Sequence, residues 1–227
     1  MKRVLVVVGP TAVGKSKISI ELAKYLNCDI ISGDSVSVYK CLDIGSAKPT
    51  KEEMANVKHY LIDIKEPTDQ YSVCDFQRDA RKIIDENDLS IICGGTGLYI
   101  QSVLFNYEFK AKSRDKDFES KYFGYSNDEL FELLLRKDPT IDKTKLHPNN
   151  RKRVLRALEV LESLDRSISS FNKKNEKMYD YFIVYLSMPR EKLYERINMR
   201  VDEMIKAGLL DEVKSLYDKG ITPHAIG

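Results

Sequence analysis

The chain has 227 residues, a formal net charge of +2 and 42% hydrophobic residues, which suits one packed domain with room for an insertion. No apolar run reaches the length of a membrane span, so we expect a cytoplasmic protein without membrane contact. The four cysteines are scattered and form no CxxC pair, which favours reduced thiols over a disulfide framework or a zinc site.

The charge is unevenly distributed along the chain. Residues 136–177 hold 12 Lys and Arg against 6 Asp and Glu, and the remainder is mildly acidic. A basic segment on an acidic body is typical of an anion-binding surface, including one for nucleic acid. A solvated helical face would have the same composition, so charge alone leaves both interpretations open.

The pattern of apolar residues predicts strands alternating with helices over most of the chain. The predicted strands are 3–8, 29–32, 59–64, 91–93 and 181–186. The predicted helices of the same part of the chain are 15–26, 73–87, 98–105, 190–206 and 209–219. Such alternation is typical of a parallel α/β sheet that is covered by helices on both faces.

Residues 107–179 interrupt this alternation with a charged stretch of helical pattern and no clear buried strand. Val154, Leu158 and Leu161 form the apolar stripe of a helix predicted over 150–164. We therefore predict a P-loop NTPase-like α/β core formed by residues 1–106 and 180–227, with a helical insertion at 107–179.

A glycine-rich motif stands between the first strand and the first helix. Residues 9–16, GPTAVGKS, match the P-loop pattern GxxxxGK[ST] in the strand–loop–helix context that the pattern requires. Its backbone N–H groups and the helix N-terminus favour a phosphate, Lys15 adds a full charge, and Ser16 offers a hydroxyl to Mg²⁺. The motif predicts phosphate binding without specifying the phosphate compound.

Two further candidates follow predicted strands. Asp34 comes directly after the second strand, and ligands of open parallel sheets bind at the carboxyl ends of the strands. A carboxylate there could act as a general base, bind Mg²⁺ through water, or simply cap a turn. Thr96, within GGTG at 94–97, offers a hydroxyl to the same crevice, although an ordinary strand-to-helix turn has the same composition.

Missing motifs narrow the class of phosphate-handling protein. The chain has no Asn-Lys-x-Asp guanine signature, and the strand at 91–93 ends in Cys-Gly-Gly rather than in an acidic pair. These absences argue against a GTPase and a motor ATPase. Small-molecule kinases and other phosphate-handling transferases remain.

Eight ordered motifs extend over nearly the whole chain. They are GPTAVGKS at 9–16, SGDSVSVYK at 32–40, DIGSAKP at 43–49, HYLID at 59–63, YSVCDF at 71–76, GGTGLY at 94–99, HPNNRKRVLRALEV at 147–160 and RVDEMIKAGLLDEV at 200–213. Together they resemble the tRNA dimethylallyltransferase family, also called tRNA isopentenyltransferases. The ordered set is far more specific than a P-loop alone.

The resemblance implies transfer of a dimethylallyl group from its diphosphate to N6 of the adenosine beside the tRNA anticodon, with release of pyrophosphate. An exocyclic adenine amine is a poor nucleophile, whereas an allylic carbon can carry positive charge as its C–O bond breaks. The enzyme must therefore stabilise the departing negative charge and remove a proton from nitrogen. Mg²⁺ is the implied cofactor.

The resemblance also assigns roles to residues at the P-loop and beyond it. Asp34 would be the general base, Thr96 would donate a hydrogen bond to pyrophosphate, and Mg²⁺ would lie near Ser16. Arg196 or Arg200, one helical turn apart, could reach the diphosphate, although exposed helix arginines are a competing interpretation. The implied donor-binding residues of the loop are Gly9, Pro10, Thr11, Ala12, Val13, Gly14, Lys15 and Ser16.

The implied acceptor is the anticodon stem-loop of tRNA, whose target base must be splayed out of its stack for N6 to be reached. The insertion would grip the stem, and Lys152 and Arg156 share one helix face at i, i+4 spacing. The residues implied to meet the base are Asp34, Ser35, Val36, Ser37 and Thr96. The residues implied to contact the rest of the tRNA are Lys152, Arg153, Val154, Leu155 and Arg156.

Three alternatives remain open at this point. A small-molecule kinase would use ATP on the same loop, with Arg151, Arg153 and Arg156 as its phosphate clamp. Prenyl transfer to free AMP or ATP is a second alternative, and a non-catalytic RNA-binding module is a third. We expect a monomer. We also expect the family's C-terminal tail to be lacking, because the chain stops at Gly227 where family members usually continue.

Overall fold

The computed structural model describes residues 1–107, 117–164 and 176–221. The chain divides into two compact units, one formed by Met1–Phe105 with Lys177–Gly227 and the other by Asn106–Glu176. The second unit ends three residues before the boundary predicted from the sequence. Tyr179 accounts for this difference, because its ring is buried in the core of the first unit and its hydroxyl donates to Asp85 Oδ1 at 3.1 Å.

The first unit contains a five-stranded sheet in which every pairing is parallel. Its strands are β1 (Arg3–Val8), β2 (Asp29–Ser32), β3 (His59–Tyr60), β4 (Leu89–Cys93) and β5 (Asp180–Tyr185). The spatial order is β3-β2-β4-β1-β5. Because the strands are parallel, their carboxyl ends lie at one edge of the sheet, where ligands of such folds bind. The predicted fold class is confirmed.

Eight α-helices occur in the described parts of the chain. They are α1 (Lys15–Leu26), α2 (Lys51–Met54), α3 (Val73–Glu86), α4 (Gly97–Leu104), α5 (Asn127–Lys137), α6 (Arg151–Leu164), α7 (Arg190–Lys206) and α8 (Leu209–Asp218). Local chemistry fixes several of their ends. Ser72 and Asp75 form a capping box at the start of α3, and Asn27 ends α1 in the left-handed region at φ 50°.

Helices pack on both faces of the sheet. On one face, Phe76, Ala80 and Ile84 of α3 join Val6 and Ile92 in a core that excludes water almost completely. On the other face, Ile20 and Ala23 of α1 pack against Val7, Ile30 and Ile91. The apolar runs Val4–Val8 of β1 and Ile91–Cys93 of β4 follow from this arrangement, because both faces of these strands are covered.

Among the described strands, β5 lies at one edge of the sheet and pairs with β1. Its sequence is as apolar as that of β1, yet Phe182 is 70% exposed and Tyr185 is 68% exposed. A strand was predicted correctly here, but an apolar strand sequence does not by itself indicate that both faces are covered.

The third strand is shorter than predicted. The sequence suggested a strand over 59–64, whereas β3 contains only His59 and Tyr60. Leu61 and Asp63 adopt left-handed conformations with φ of 61° and 56°, which turn the backbone out of the ladder. The chain then pairs with the segment after β2, where Ile64 N–H donates to Val38 O at 2.9 Å.

The second unit is helical within residues 117–164, with a 3₁₀ turn at Phe118–Tyr122 followed by α5 and α6. Leu130 and Leu134 of α5 pack against Val154 and Leu158 of α6. Arg151 donates to the carbonyl of Tyr122 at 3.0 Å and so fixes the preceding turn. Within the described ranges of the whole chain, no helix is both long and apolar enough to cross a membrane.

We predict that Gly94→Ala destabilises the first unit. A Cβ at this position would lie 2.3 Å from Gly33 O, a backbone atom that cannot move aside. Such overpacking costs about 1–3 kcal/mol or more in the free energy of unfolding, measurable by urea denaturation. Gly95→Ala is the matched control: a Cβ there meets nothing within 4 Å, so its cost should stay within about 0.5 kcal/mol. Equal stability of the two variants would contradict the prediction.

Candidate functional site

The loop between β1 and α1 has backbone geometry that demands glycine. Gly9 has φ of 154°, and a Cβ there would lie 2.4 Å from Leu186 O. Gly14 has φ of 101° and precedes the first residue of α1. Ala12 also has a positive φ of 65°. The chain therefore turns tightly between β1, an interior strand of the sheet, and α1, and the N-terminus of α1 is left as an anion-binding end.

Lys15 is folded back onto this loop. Its Nζ donates to Gly9 O at 2.9 Å and to Pro10 O at 2.8 Å. Burial lowers the pKa of the Lys15 ammonium; Cys93 opposes this shift, Arg200 adds to it, and Asp34 opposes it. A partly desolvated cation of this kind is suited to an anionic ligand that can replace the two carbonyls.

Asp34 lies at the carboxyl end of β2 and has a structural role. Its Oδ1 accepts hydrogen bonds from the backbone N–H groups of Val36 at 2.8 Å and Ser37 at 3.2 Å. One carboxylate oxygen of Asp34 therefore caps the turn, as one of the interpretations of the sequence proposed. Thr96 Oγ1 accepts from Ser35 N–H at 3.3 Å, so the loop after β4 braces the Asp34 turn.

A cavity of about 920 Å³ opens at the carboxyl edge of the sheet. The structure brings most of the predicted site residues of the first unit into its wall. Those that line it are Gly9, Pro10, Thr11, Ala12, Gly14, Lys15, Ser16, Asp34, Val36, Ser37, Arg196 and Arg200. Val13, Ser35 and Thr96 are absent from the wall, and Val13 is buried at 7% exposure with its Cγ1 close to Gly9.

The cavity wall also includes residues that the sequence analysis left without a role. Gly45, Ser46, Ala47 and Pro49, from one of the family-like motifs, line it together with His59, Ile62 and Met204. Burial lowers the pKa of His59, whose Nδ1 lies 2.9 Å from Val57 O. In the sequence, the signal for these cavity-lining residues was that they belong to motifs resembling the family. Those motifs did not indicate what the individual residues do.

The helix α6 separates the predicted tRNA-binding residues into two groups. Lys152 and Arg153 are exposed, and Arg156 Nη1 donates to Glu159 Oε2 at 2.6 Å. Val154 and Leu155 are 0% and 3% exposed in the core of the second unit. Their side chains pack inside the unit, because a contiguous run on a helix cannot all face outwards. Contact of this stretch with tRNA stays a prediction, and the exposed side of the helix is the part that could make it.

The chemistry of the cavity wall decides whether Mg²⁺ would fit there. Ser16 is exposed at the start of α1, and the Asp34 carboxylate lines the same cavity. Among the described residues, no group of three or more His, Cys, Asp or Glu is placed to hold a metal ion. Mg²⁺ often binds through one or two protein groups, water and substrate phosphates. The residues therefore fit a metal that arrives with a diphosphate.

A glycine-rich loop that leads from an interior strand of a parallel sheet to a helix N-terminus defines a P-loop-like α/β protein. The model of the IPP transferase family matches residues 37–227. The chain is 47% identical to tRNA dimethylallyltransferase from Bacillus licheniformis over 228 residues, which cover 96% of this chain and 72% of the relative. The chain belongs to the IPP transferase family.

Solved structures agree with this assignment. A tRNA isopentenylpyrophosphate transferase from Bacillus halodurans is 41% identical, with a TM-score of 0.67 over 98% of this chain and 72% of that one. A eukaryotic dimethylallyltransferase described as acting on tRNA is 30% identical, with a TM-score of 0.82 over 96% of this chain and 56% of that one.

We predict that affinity for inorganic pyrophosphate falls as pH rises, beginning below the ordinary lysine pKa of 10.5. The free-state pKa of Lys15 is lowered, so the ammonium loses its proton early, whereas the bound anion favours the charged form. Calorimetric titration over a pH series measures this dependence. Lys15→Arg keeps its charge throughout and reports the titration of pyrophosphate itself. Identical pH profiles for the two proteins would contradict the prediction.

Proposed function

We propose that this protein transfers the dimethylallyl group of dimethylallyl diphosphate to N6 of the adenosine next to the anticodon in tRNA, releasing pyrophosphate. One observation carries the proposal: the P-loop cation Lys15 and the Asp34 carboxylate line the same cavity. The family supplies the reaction class, since its relatives are named tRNA dimethylallyltransferases.

The donor diphosphate binds at the N-terminus of α1. Backbone N–H groups of the loop and the Lys15 ammonium neutralise its oxygens, and Lys15 leaves the carbonyls of Gly9 and Pro10 to do so. Arg196 and Arg200, which line the same cavity from α7, add positive charge. Ser16 would hold Mg²⁺ together with the diphosphate, and the metal would supply further positive charge at the leaving group.

Asp34 takes the proton from nitrogen. The amides of Val36 and Ser37 hold its Oδ1, which fixes the carboxylate while the other oxygen serves as the base. The N6–carbon bond forms as the carbon–oxygen bond to diphosphate breaks, the proton passes to Asp34, and pyrophosphate departs. A positioned general base contributes typically about 10²–10⁴ in rate.

Thr96 acts in this scheme through its hydroxyl, which braces the Asp34 turn by accepting from Ser35 N–H. That contact does not use the hydroxyl proton, which stays available for the leaving pyrophosphate, although Thr96 itself lies outside the cavity wall in the free protein. Ser35, Val36 and Ser37 meet the flipped adenosine and its neighbours. Cavity-lining positions of Val36 and Ser37 support this role.

The helical unit binds tRNA through the exposed face of α6. Lys152 and Arg153 are solvent-accessible and suited to phosphate contacts, which position an RNA without reading its sequence. The apolar side of the same helix holds the unit together.

The direct test incubates the protein with labelled dimethylallyl diphosphate and unmodified tRNA, followed by mass analysis of the nucleosides. Prenylated adenosine in the anticodon loop is the expected product. Consumption of ATP with a small acceptor, or label on free AMP with none on tRNA, would show a different reaction.

We predict that Asp34→Asn lowers kcat by roughly 10²–10⁴ while tRNA affinity is kept. Asparagine preserves an oxygen that accepts from Val36 and Ser37, so the turn survives, but its amide cannot take the proton. Single-turnover transfer and tRNA binding are the two measurements. Asp88→Asn is the control, since that side chain is 92% exposed and forms a surface ion pair with Lys2. Undiminished turnover of Asp34→Asn would remove Asp34 from the mechanism.

We also predict that Lys152→Ala and Arg153→Ala weaken tRNA binding with little change in kcat at saturating tRNA. Removing one charge that binds a phosphate should reduce the slope of log K against log salt by about 0.7–0.9. Binding measured over a salt series checks this. Lys82→Ala, an exposed lysine on α3 of the first unit, is the matched control. A salt slope unchanged by both α6 variants would exclude these residues from the interface.

A further inference from the structure

One wall of the cavity is an irregular segment, Asp43–Pro49, which precedes α2. Gly45, Ser46, Ala47 and Pro49 of this segment line the cavity that also contains the P-loop. The segment forms no strand or helix, so its backbone groups need partners outside regular structure. Ala47 N–H and Lys48 N–H find carbonyls within the segment, and a side chain from elsewhere in the fold supplies partners for others.

Glu212 of α8 is the principal partner. Its Oε2 accepts from the N–H groups of Asp43 and Ile44, both at 2.8 Å, and its Oε1 accepts from Gly45 N–H at 2.9 Å. Three successive amides thus surround one carboxylate, the arrangement that binds anions in backbone nests. Hydrogen bonds to an ionised acceptor are roughly twice as strong as neutral ones.

The contact leaves little space between the segment and α8. A Cβ at Gly45 would lie 3.3 Å from Glu212 Oε1 and 3.4 Å from Leu209 Cδ1. The helix therefore touches the backbone of the cavity wall directly, and a displacement of either one moves the other.

Lys48 holds the segment from its other end. Its side chain is only 4% exposed, and its Nζ donates to Tyr39 O at 2.5 Å, Asp43 Oδ1 at 2.8 Å and Asp63 Oδ1 at 2.6 Å. All three N–H donors of this buried ammonium have oxygen partners, so none of them is left for a ligand. Both charged groups serve to fix the conformation of the segment.

We infer that Glu212 is a positioning residue that controls the affinity for the prenyl donor by holding the Asp43–Pro49 segment as a fixed wall of its cavity. The inference rests on the proposed function. The wall is apolar where Ala47 and Pro49 line it, and Ile62 and Met204 continue that surface. Such a surface suits the hydrocarbon end of a donor whose diphosphate lies on the P-loop. Arg200 of α7 and Glu212 of α8 lie on consecutive helices. The same helix pair therefore provides a cation that lines the cavity and the carboxylate that fixes the Asp43–Pro49 segment.

The test is Glu212→Gln, which keeps the size of the side chain but turns an N–H₂ group towards backbone N–H donors. We expect the KM for dimethylallyl diphosphate to rise about tenfold, because the competent wall would be populated only about a tenth of the time, with kcat changed by less than about twofold. Hydrogen exchange at residues 43–45 should accelerate in the free protein. Asp211→Asn is the matched control, one residue away on the same helix and exposed.

Two measurements separate this inference from the proposed function. Hydrogen exchange and equilibrium binding of dimethylallyl diphosphate need no transfer reaction, so they test Glu212 even if tRNA is not prenylated. Unchanged exchange at 43–45 in Glu212→Gln, or accelerated exchange with unchanged donor affinity, would overturn the inference. A decrease confined to kcat would do the same. Should Glu212→Gln fail to fold, Lys48→Met releases the segment from its other end and must raise the donor KM and the exchange rate in the same way.

Discussion

Close approach of backbone atoms at the carboxyl edge of the sheet is the constraint on which the rest of the site depends. Gly9 passes Leu186 O, and Gly94 passes Gly33 O, at separations that leave no space for a Cβ. These approaches draw the ends of β1, β2, β4 and β5 together. Lys15 and Asp34, which follow two of those strands, consequently reach one cavity although they are 19 positions apart in the chain.

Ionised side chains fix the irregular loops around this edge. Asp34 binds two backbone amides, Glu212 binds three, and Lys15 and Lys48 bind carbonyls. Loops at a ligand site cannot be held by deep apolar packing, because the cavity removes half of their surroundings. Charge-assisted hydrogen bonds supply the rigidity instead, and they also concentrate charge where an anionic donor and a proton acceptor are needed.

Much of this arrangement could be predicted from the sequence where the determinants are local. The bounds of β1, α1 and β2 follow from apolar periodicity, and the P-loop with Asp34 follows from strand-end chemistry. β3 was predicted too long, because periodicity cannot show that Leu61 adopts a left-handed conformation. The hold of Glu212 on Asp43 spans 169 positions and has no local pattern at all. The burial of Val154 could be predicted from the apolar stripe of its helix, whereas the matched motif by itself did not separate the two faces of that helix.

The hydrogen bonds of Lys15 to its own loop have a consequence for ligand discrimination. The carbonyls of Gly9 and Pro10 occupy two of the three N–H donors of the ammonium, and hydrogen bonds to a charged group are worth about 1.5–3 kcal/mol each. An anion that reaches only the third donor would gain a single bond of this kind. A diphosphate carries several oxygens that would meet the ammonium and the loop amides simultaneously, which would offset the loss of the carbonyl contacts. The position of Lys15 in the free protein would therefore favour polyvalent phosphates over small monovalent anions.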